Sequence, residues 1–179
     1  MATTRENKTI SQFKSQLIGG GARPNLFEVE LTTLPAGIAW PADNFRYMCK
    51  AAQLPASVIA NIDIPFRGRI FKVAGDRTIE PWSITVINDE DFRIRKAMEE
   101  WVDRIAKLEN NLGATDPSAY MVNAKVFQLG RGATPSSSTN TGDRNAVLRE
   151  YEFIDIFPTS VSSIDLSYDS SDTIEEFVV

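Results

Sequence analysis

The feature that most constrains this chain is a change of hydrophobic period at one place. From Trp82 to Ile87, Trp82, Ile84 and Val86 alternate with Ser83, Thr85 and Ile87, the period of two that a half-buried strand requires. After Asn88-Asp89-Glu90-Asp91, apolar residues recur every three or four positions at Ile94, Ala97, Met98, Trp101, Ile105 and Leu108, which is one face of an amphipathic helix. Asn88 can cap that helix, and the three acidic residues after it suit the positive end of the helix dipole. Cap chemistry also accounts for this acidic run better than a cation site, since the oxygen-ligand spacing of a calcium loop is missing. The expected helix spans about residues 89–112 and closes at Gly113.

Period two dominates the rest of the chain. Leu26, Glu28 and Glu30 alternate with Phe27, Val29 and Leu31, and Phe45, Tyr47 and Cys49 with Arg46, Met48 and Lys50. Leu54-Pro55-Ala56 interrupts the pattern, and Ile59, Ile62, Ile64 and Phe66 lead through Arg67-Gly68-Arg69 to a run over 70–74. That stretch reads equally as an extended edge ribbon or as an ordinary hairpin, with Gly75-Asp76-Arg77 as a turn before the next strand. Further strands are expected over 120–129, 147–157, 164–168 and 174–179. About eight strands with one helix cannot be covered by helices on both faces, so a parallel α/β sheet is disfavoured. The expectation is a mainly β fold, an antiparallel sandwich or barrel with one flanking helix.

Residues 1–22 are polar, end in Gly19-Gly20-Gly21 and show a single helical turn around Ile10, Phe13, Leu17 and Ile18. They read as an N-terminal arm, with 23–179 as a single domain. The glycine triplet lacks the flanking strand, helix and lysine of a phosphate loop and reads as a hinge. The segment from Gly130 to Gly142, rich in serine and threonine around Ser136–Thr141, has no large apolar residue and reads as a mobile loop.

Composition narrows the function classes. Of 179 residues none is histidine, which removes the side chain most used for proton transfer near neutral pH and the commonest metal ligand. Cys49 is the sole cysteine, so neither an intrachain disulfide nor a multi-cysteine zinc site can form. A formal net charge of −5 opposes binding to nucleic acid through phosphate neutralisation. A mildly acidic surface is first of all what solubility requires, and a sharper reading is acidic residues lining a conduit through which DNA passes without sticking. No apolar run approaches the ~18 residues of a membrane span, and the start is not signal-like, so a cytoplasmic protein is expected. Asn7-Lys8-Thr9 matches a glycosylation sequon, which carries no weight without a secretory signal.

Several stretches are similar to the tail tube proteins of contractile-tailed bacteriophages: Ala22-Arg23-Pro24-Asn25-Leu26-Phe27, Cys49-Lys50-Ala51 with Leu54-Pro55, Val73-Ala74-Gly75-Asp76-Arg77-Thr78, Trp82 to Glu90, and Phe157-Pro158-Thr159 followed by Leu166-Ser167-Tyr168-Asp169. The resemblance covers most of the chain from Ala22 to Phe177. It implies a β-sandwich or barrel flanked by a helix, assembling as hexameric rings stacked into a hollow tube inside a contractile sheath. Related folds serve in pyocin-like particles and in type VI secretion. The serine-rich segment is longer than the family's usual connection, and family members continue for a few strand residues beyond the position of Val179.

The resemblance implies a structural subunit and no enzyme, no cofactor, no metal and no small-molecule substrate. The implied partners are further copies of the chain, the tail sheath, tape measure, baseplate and tail terminator proteins, and DNA in transit without specific binding. The implied location is the virion tail, assembled in the host bacterial cytoplasm. Candidate subunit-interface residues are Ile59, Ile62, Ile64, Phe66, Arg67 and Arg69, in an apolar, proline-broken segment that a lone sandwich need not bury. Candidate lumen residues are Glu28, Glu30, Glu150, Glu152 and Asp155, with the helix facing the sheath. A monomeric binding module and a carboxylate hydrolase compete. The first lacks a convergent aromatic and polar cluster in a loop, and the second lacks a carboxylate pair distinct from cap, turn and surface roles.

Overall fold

The computed structural model describes residues 9–17, 20–131 and 147–179, so the serine-rich Ser136–Thr141 and the start of the arm lie outside the described residues. In chain order it contains helix α1 (Ile10–Gln16), strand β1 (Phe27–Leu31), helix α2 (Ala42–Met48), strands β2 (Cys49–Gln53), β3 (Ser57–Phe66), β4 (Arg69–Ile79) and β5 (Ser83–Ile87), helix α3 (Arg93–Ile105), and strands β6 (Val122–Leu129), β7 (Val147–Ile156) and β8 (Glu176–Val178). These form two three-stranded sheets, ordered β1-β6-β7 and β2-β5-β8, and a separate two-stranded ribbon β3-β4. All pairings are antiparallel. The sheets are open, and they do not close into a barrel.

One core joins the two sheets and α3. Val29 and Leu31 of β1, Ile84 and Val86 of β5, Ala124 and Val126 of β6 and Phe177 of β8 are buried, each on the inward parity of its strand. Onto them α3 lays Ile94, Ala97, Met98 and Trp101, so the stripe expected from sequence is the stripe that packs. The Trp101 indole donates to the Tyr120 carbonyl at 2.7 Å, which ties the loop before β6 to the helix.

The helix is shorter than its sequence signal. Its N-cap is Phe92, in the left-handed region at φ 52°, and not Asn88. The Asn88 side chain donates to Glu175 Oε2 at 3.0 Å and its backbone N–H to the Glu175 carbonyl at 2.8 Å. Asp89 accepts from Asn44 and Asp91 pairs with Arg93. Pairing across the sheet to the strand that becomes β8 outweighs a local cap. At the other end the helix stops at Ile105, and Leu108 is exposed. Gly113 is not its cap. The chain returns so that Ala114 N–H donates to the Arg104 carbonyl, and Gly113 lies against the Ile105 carbonyl, where a Cβ would overlap backbone.

Three further expectations give way. Residues 45–50 are not one strand: 42–48 are helical and the strand begins at Cys49. Period two would bury Tyr47 with Phe45 and Cys49, but Tyr47 is 84% exposed while Phe45 and Cys49 are buried, the i, i+4 pattern of a helix turn. The Trp40 ring packs on Phe45 at 5.0 Å and its indole donates to the Leu31 carbonyl, fixing α2 against β1. Gly75-Asp76-Arg77 is no turn but lies inside β4. Residues 75 and 76 face the single residue Ala60 in a bulge, and the turn is Arg67-Gly68, both at positive φ (45° and 80°), as a two-residue type I′ hairpin turn needs. The segment 164–168 forms no strand. Just before it, the Ser162 N–H donates to the Val178 carbonyl of β8 and the Ser162 hydroxyl accepts from the Val178 N–H, and Ile164 packs against the core. Beyond that contact Leu166 and Tyr168 stand exposed.

Candidate functional site

The ribbon β3-β4 is the least finished part of the molecule. Its strands run for 10 and 11 residues, and along them only Gly75 is more than slightly shielded from solvent. Directly opposed residues share a face of an antiparallel pair. Ile62 faces Val73, Ile64 faces Phe71 and Phe66 faces Arg69, so one face carries Val58, Ile62, Ile64, Phe66, Phe71 and Val73. The opposite face mixes Asn61, Asp63 and Lys72 with Pro65, Ile70 and Ala74, Asp63 opposing Lys72 and Pro65 opposing Ile70. Ile59 opposes Arg77 on that second face. The register therefore brings Ile62, Ile64, Phe66 and Arg69 together and separates Ile59 from them. Arg67 sits in the turn with its guanidinium 5.4 Å from the Phe66 ring centroid. Phe71 and Val73, opposite the predicted isoleucines, were missed in the sequence because their strand read only as a continuation into a turn. An isolated two-stranded ribbon is marginal in water.

At the base of the ribbon an apolar cleft of about 410 Å³ opens between the two sheets. Its walls include Ile79, Pro81, Trp82, Phe153, Ile156 and Phe157, with the acidic residues Glu80 and Asp155 also among its lining. Trp82 stacks on Phe153, and the Trp82 indole N–H is buried without a hydrogen-bond partner among the described residues.

The outer face of β1-β6-β7 gathers four of the five lumen candidates. Glu30, Lys125 and Glu152 lie in one row across the three strands, and Glu28, Phe127 and Glu150 in the next. Arg46 of α2 reaches Glu30 at 2.6 Å and Glu28 at 3.5 Å, and Lys125 reaches Glu150 at 2.7 Å. The Arg46 pKa is raised, chiefly by the hydrogen bond to Glu30, and that of Lys125 chiefly by the one to Glu150. Asp155 stands apart, at φ 56° in a bulge where its N–H donates to the Asn123 side chain. Four carboxylates against two cations leave this face acidic. Buried Cys49 is held as a thiol, its pKa pushed up to about 12 by burial. No group of three or more possible metal ligands occurs among the described residues.

The ribbon is exposed along its length, the cleft is open, and no convergent polar site occurs among the described residues. The chain belongs to the phage tail tube protein family, which matches residues 22–179. It is 35% identical over 161 residues to the tail tube protein gp19 of Enterobacteria phage T4, covering 90% of this chain and 88% of that protein. It is 34% identical over the same shares to the tail tube protein gp19 of Enterobacteria phage T6. A chain of the PVC sheath-tube complex of an extracellular contractile injection system, in its extended state, aligns over 96% of this chain and 93% of its own with 13% identity and a TM-score of 0.48. At that distance it adds nothing to the assignment.

Proposed function

We propose that this chain is the repeating, non-catalytic subunit of the inner tube of a contractile phage tail. Copies form hexameric rings that stack into a conduit through which DNA passes without specific binding. The observation that carries this reading is the β3-β4 ribbon, whose apolar face no described residue of a single copy covers. In the proposed tube, Ile62, Ile64, Phe66, Arg67 and Arg69 meet a neighbouring subunit, with Ile59 on the ribbon's other side. The acidic face bearing Glu28, Glu30, Glu150 and Glu152 lines the lumen with Asp155 near it, because like charge keeps DNA from adhering, and α3 faces the sheath. Residues 1–22 act as an arm on the single domain 23–179. The sheath, tape measure, baseplate and tail terminator proteins complete the particle, which forms in the host cytoplasm and persists in the virion.

Size-exclusion chromatography of the purified chain, followed by negative-stain imaging, tests this directly. Rings or hollow tubes are expected, and a monodisperse monomer at high concentration overturns the reading. A reconstruction of the tube then decides its polarity: a net-basic inner wall, or α3 lining the channel, shows the subunit to be inside out.

A further inference from the structure

Helix α1 finds no cover among the described residues of a single copy. It is 7 residues long, is closed by a Thr9–Gln12 capping box and buries none of its residues, although helices this short are unstable without packing. Ile10, Phe13 and Leu17 fall on one face and are 76%, 65% and 45% exposed. From Thr9 to Leu17 the only charged residue is Lys14. The cleft at the base of the β3-β4 ribbon presents the complementary surface: apolar walls of Ile79, Pro81, Trp82, Ile156 and Phe157, with the acidic residues Glu80 and Asp155 also along its lining.

The two surfaces lie at opposite ends of the β1-β6-β7 sheet. The chain leading from α1 is pinned at the Phe27 end, where Gln128 Nε2 donates to the carbonyls of Arg23 and Leu26, both at 2.7 Å. The cleft lies at the Leu31 end, beside the Ala124–Phe153 pair. From Gln128 to Val122 the strand covers about 20 Å, and crossing to the cleft adds roughly 5–10 Å. Leu17 is six residues from the pin at Arg23, a reach of at most about 20 Å in full extension. The chain also turns at the described residues of this connection. Gly20 N–H donates to the Leu17 carbonyl at 3.3 Å, and Gly20 and Gly21 have φ of 76° and 84°. The helix of one chain therefore cannot fill its own cleft.

We infer that the apolar face of α1 docks into the β4–β7 cleft of a second copy of the chain, with Ile10, Phe13 and Leu17 inserted among Trp82, Ile156 and Phe157 and Lys14 beside Glu80 and Asp155. The inference rests on the proposed tube reading and specifies one of its contacts. A donor at one end and an acceptor at the other make a heterologous, head-to-tail contact, which propagates an open stack instead of closing on itself.

Site-directed cross-linking tests it on the full chain. A size-tagged Phe13→Cys chain is mixed with an untagged Phe157→Cys chain, assembled and oxidised, with negative-stain images taken in parallel. A mixed disulfide band is expected on a non-reducing gel. Adding Lys14→Glu to the first chain should lower its yield several-fold, and Glu80→Lys in the second should restore it. Tubes without the mixed band overturn the docking while leaving the tube reading intact. Failure of the unsubstituted chain to assemble overturns both. A chain carrying both cysteines that cross-links only within itself, or a yield indifferent to the charge changes, also overturns the docking. If either cysteine variant unfolds, the Lys14→Glu and Glu80→Lys chains alone decide through tube yield: loss with the first and recovery in the mixture supports the contact, and no change refutes it.

Discussion

The rings of Trp82 and Phe153 stack with centroids 4.5 Å apart and planes 9° from parallel, one from the segment entering β5 and the other from β7. This pair spans the two sheets beside the open cleft, and its energy comes from area and stacking alone, because the Trp82 N–H has no partner among the described residues. The Trp101 N–H instead satisfies the Tyr120 carbonyl at 2.7 Å. Phenylalanine at each position should separate the two cases. Trp82→Phe loses no hydrogen bond, whereas Trp101→Phe loses one and strands a carbonyl, so the second should cost about 1–3 kcal/mol more. Urea unfolding of the two variants checks the order.

Gly113→Ala tests the returning chain behind α3. A methyl group there overlaps the Ile105 carbonyl, and since both sides are backbone, relief requires moving the helix end. The expected loss is on the order of 3 kcal/mol, read as a fall in melting temperature of roughly 6–12 °C for a domain of this size.

Cys49 should make the fold sensitive to alkali. Burial raises its pKa from 9.0 to about 12, so the folded state keeps the proton that the unfolded chain releases. The resulting stability is fully present below pH 9 and is lost as pH rises from 9 to 12, with a limiting slope of about 1.4 kcal/mol per pH unit. Urea midpoints measured from pH 8 to 11 should fall more steeply for the native chain than for Cys49→Ala.

Aspartate at Ile62 and Ile64 together should abolish rings and tubes, while shifting the unfolding midpoint by less than about 1 kcal/mol, because both positions are exposed in the single copy. Aspartate at Ile59, on the other face of the ribbon, should impair assembly less. Sedimentation and negative-stain imaging read both, and normal tubes from the double variant would remove the ribbon from the interface.

Legibility from sequence followed how far each signal depended on distant chain. Val29, Leu31, Ile84 and Val86 are buried where alternation placed them, and Ile94, Ala97, Met98 and Trp101 form the stripe that the helical period predicts, because these patterns report on the core through local geometry alone. Phe45, Tyr47 and Cys49 satisfied period two by coincidence. Only Phe45 and Cys49 reach the core, and nothing near Tyr47 in sequence reveals that. Asn88 carries a cap signature that pairing with Glu175, 87 residues away, overrides. The ribbon's apolar segment was legible, but its two-faced character depends on the register across Arg67-Gly68 and on the bulge opposite Ala60. The acidic face needed the pairing of β1, β6 and β7 to assemble residues more than a hundred positions apart.

The bulge at Gly75 and Asp76 has a consequence for the subunit before it meets any partner. A long, exposed, apolar two-stranded ribbon with both edges unpaired is the kind of template on which cross-β fibrils grow. The extra residue opposite Ala60 interrupts the ladder midway, between Ile59 and Asn61, and Asp63 with Lys72 places charge on the otherwise plain face. Strand-on-strand addition therefore meets a kink on one half and exposed charge on the other, and the unassembled pool is steered away from amyloid-like growth while its sticky face stays available.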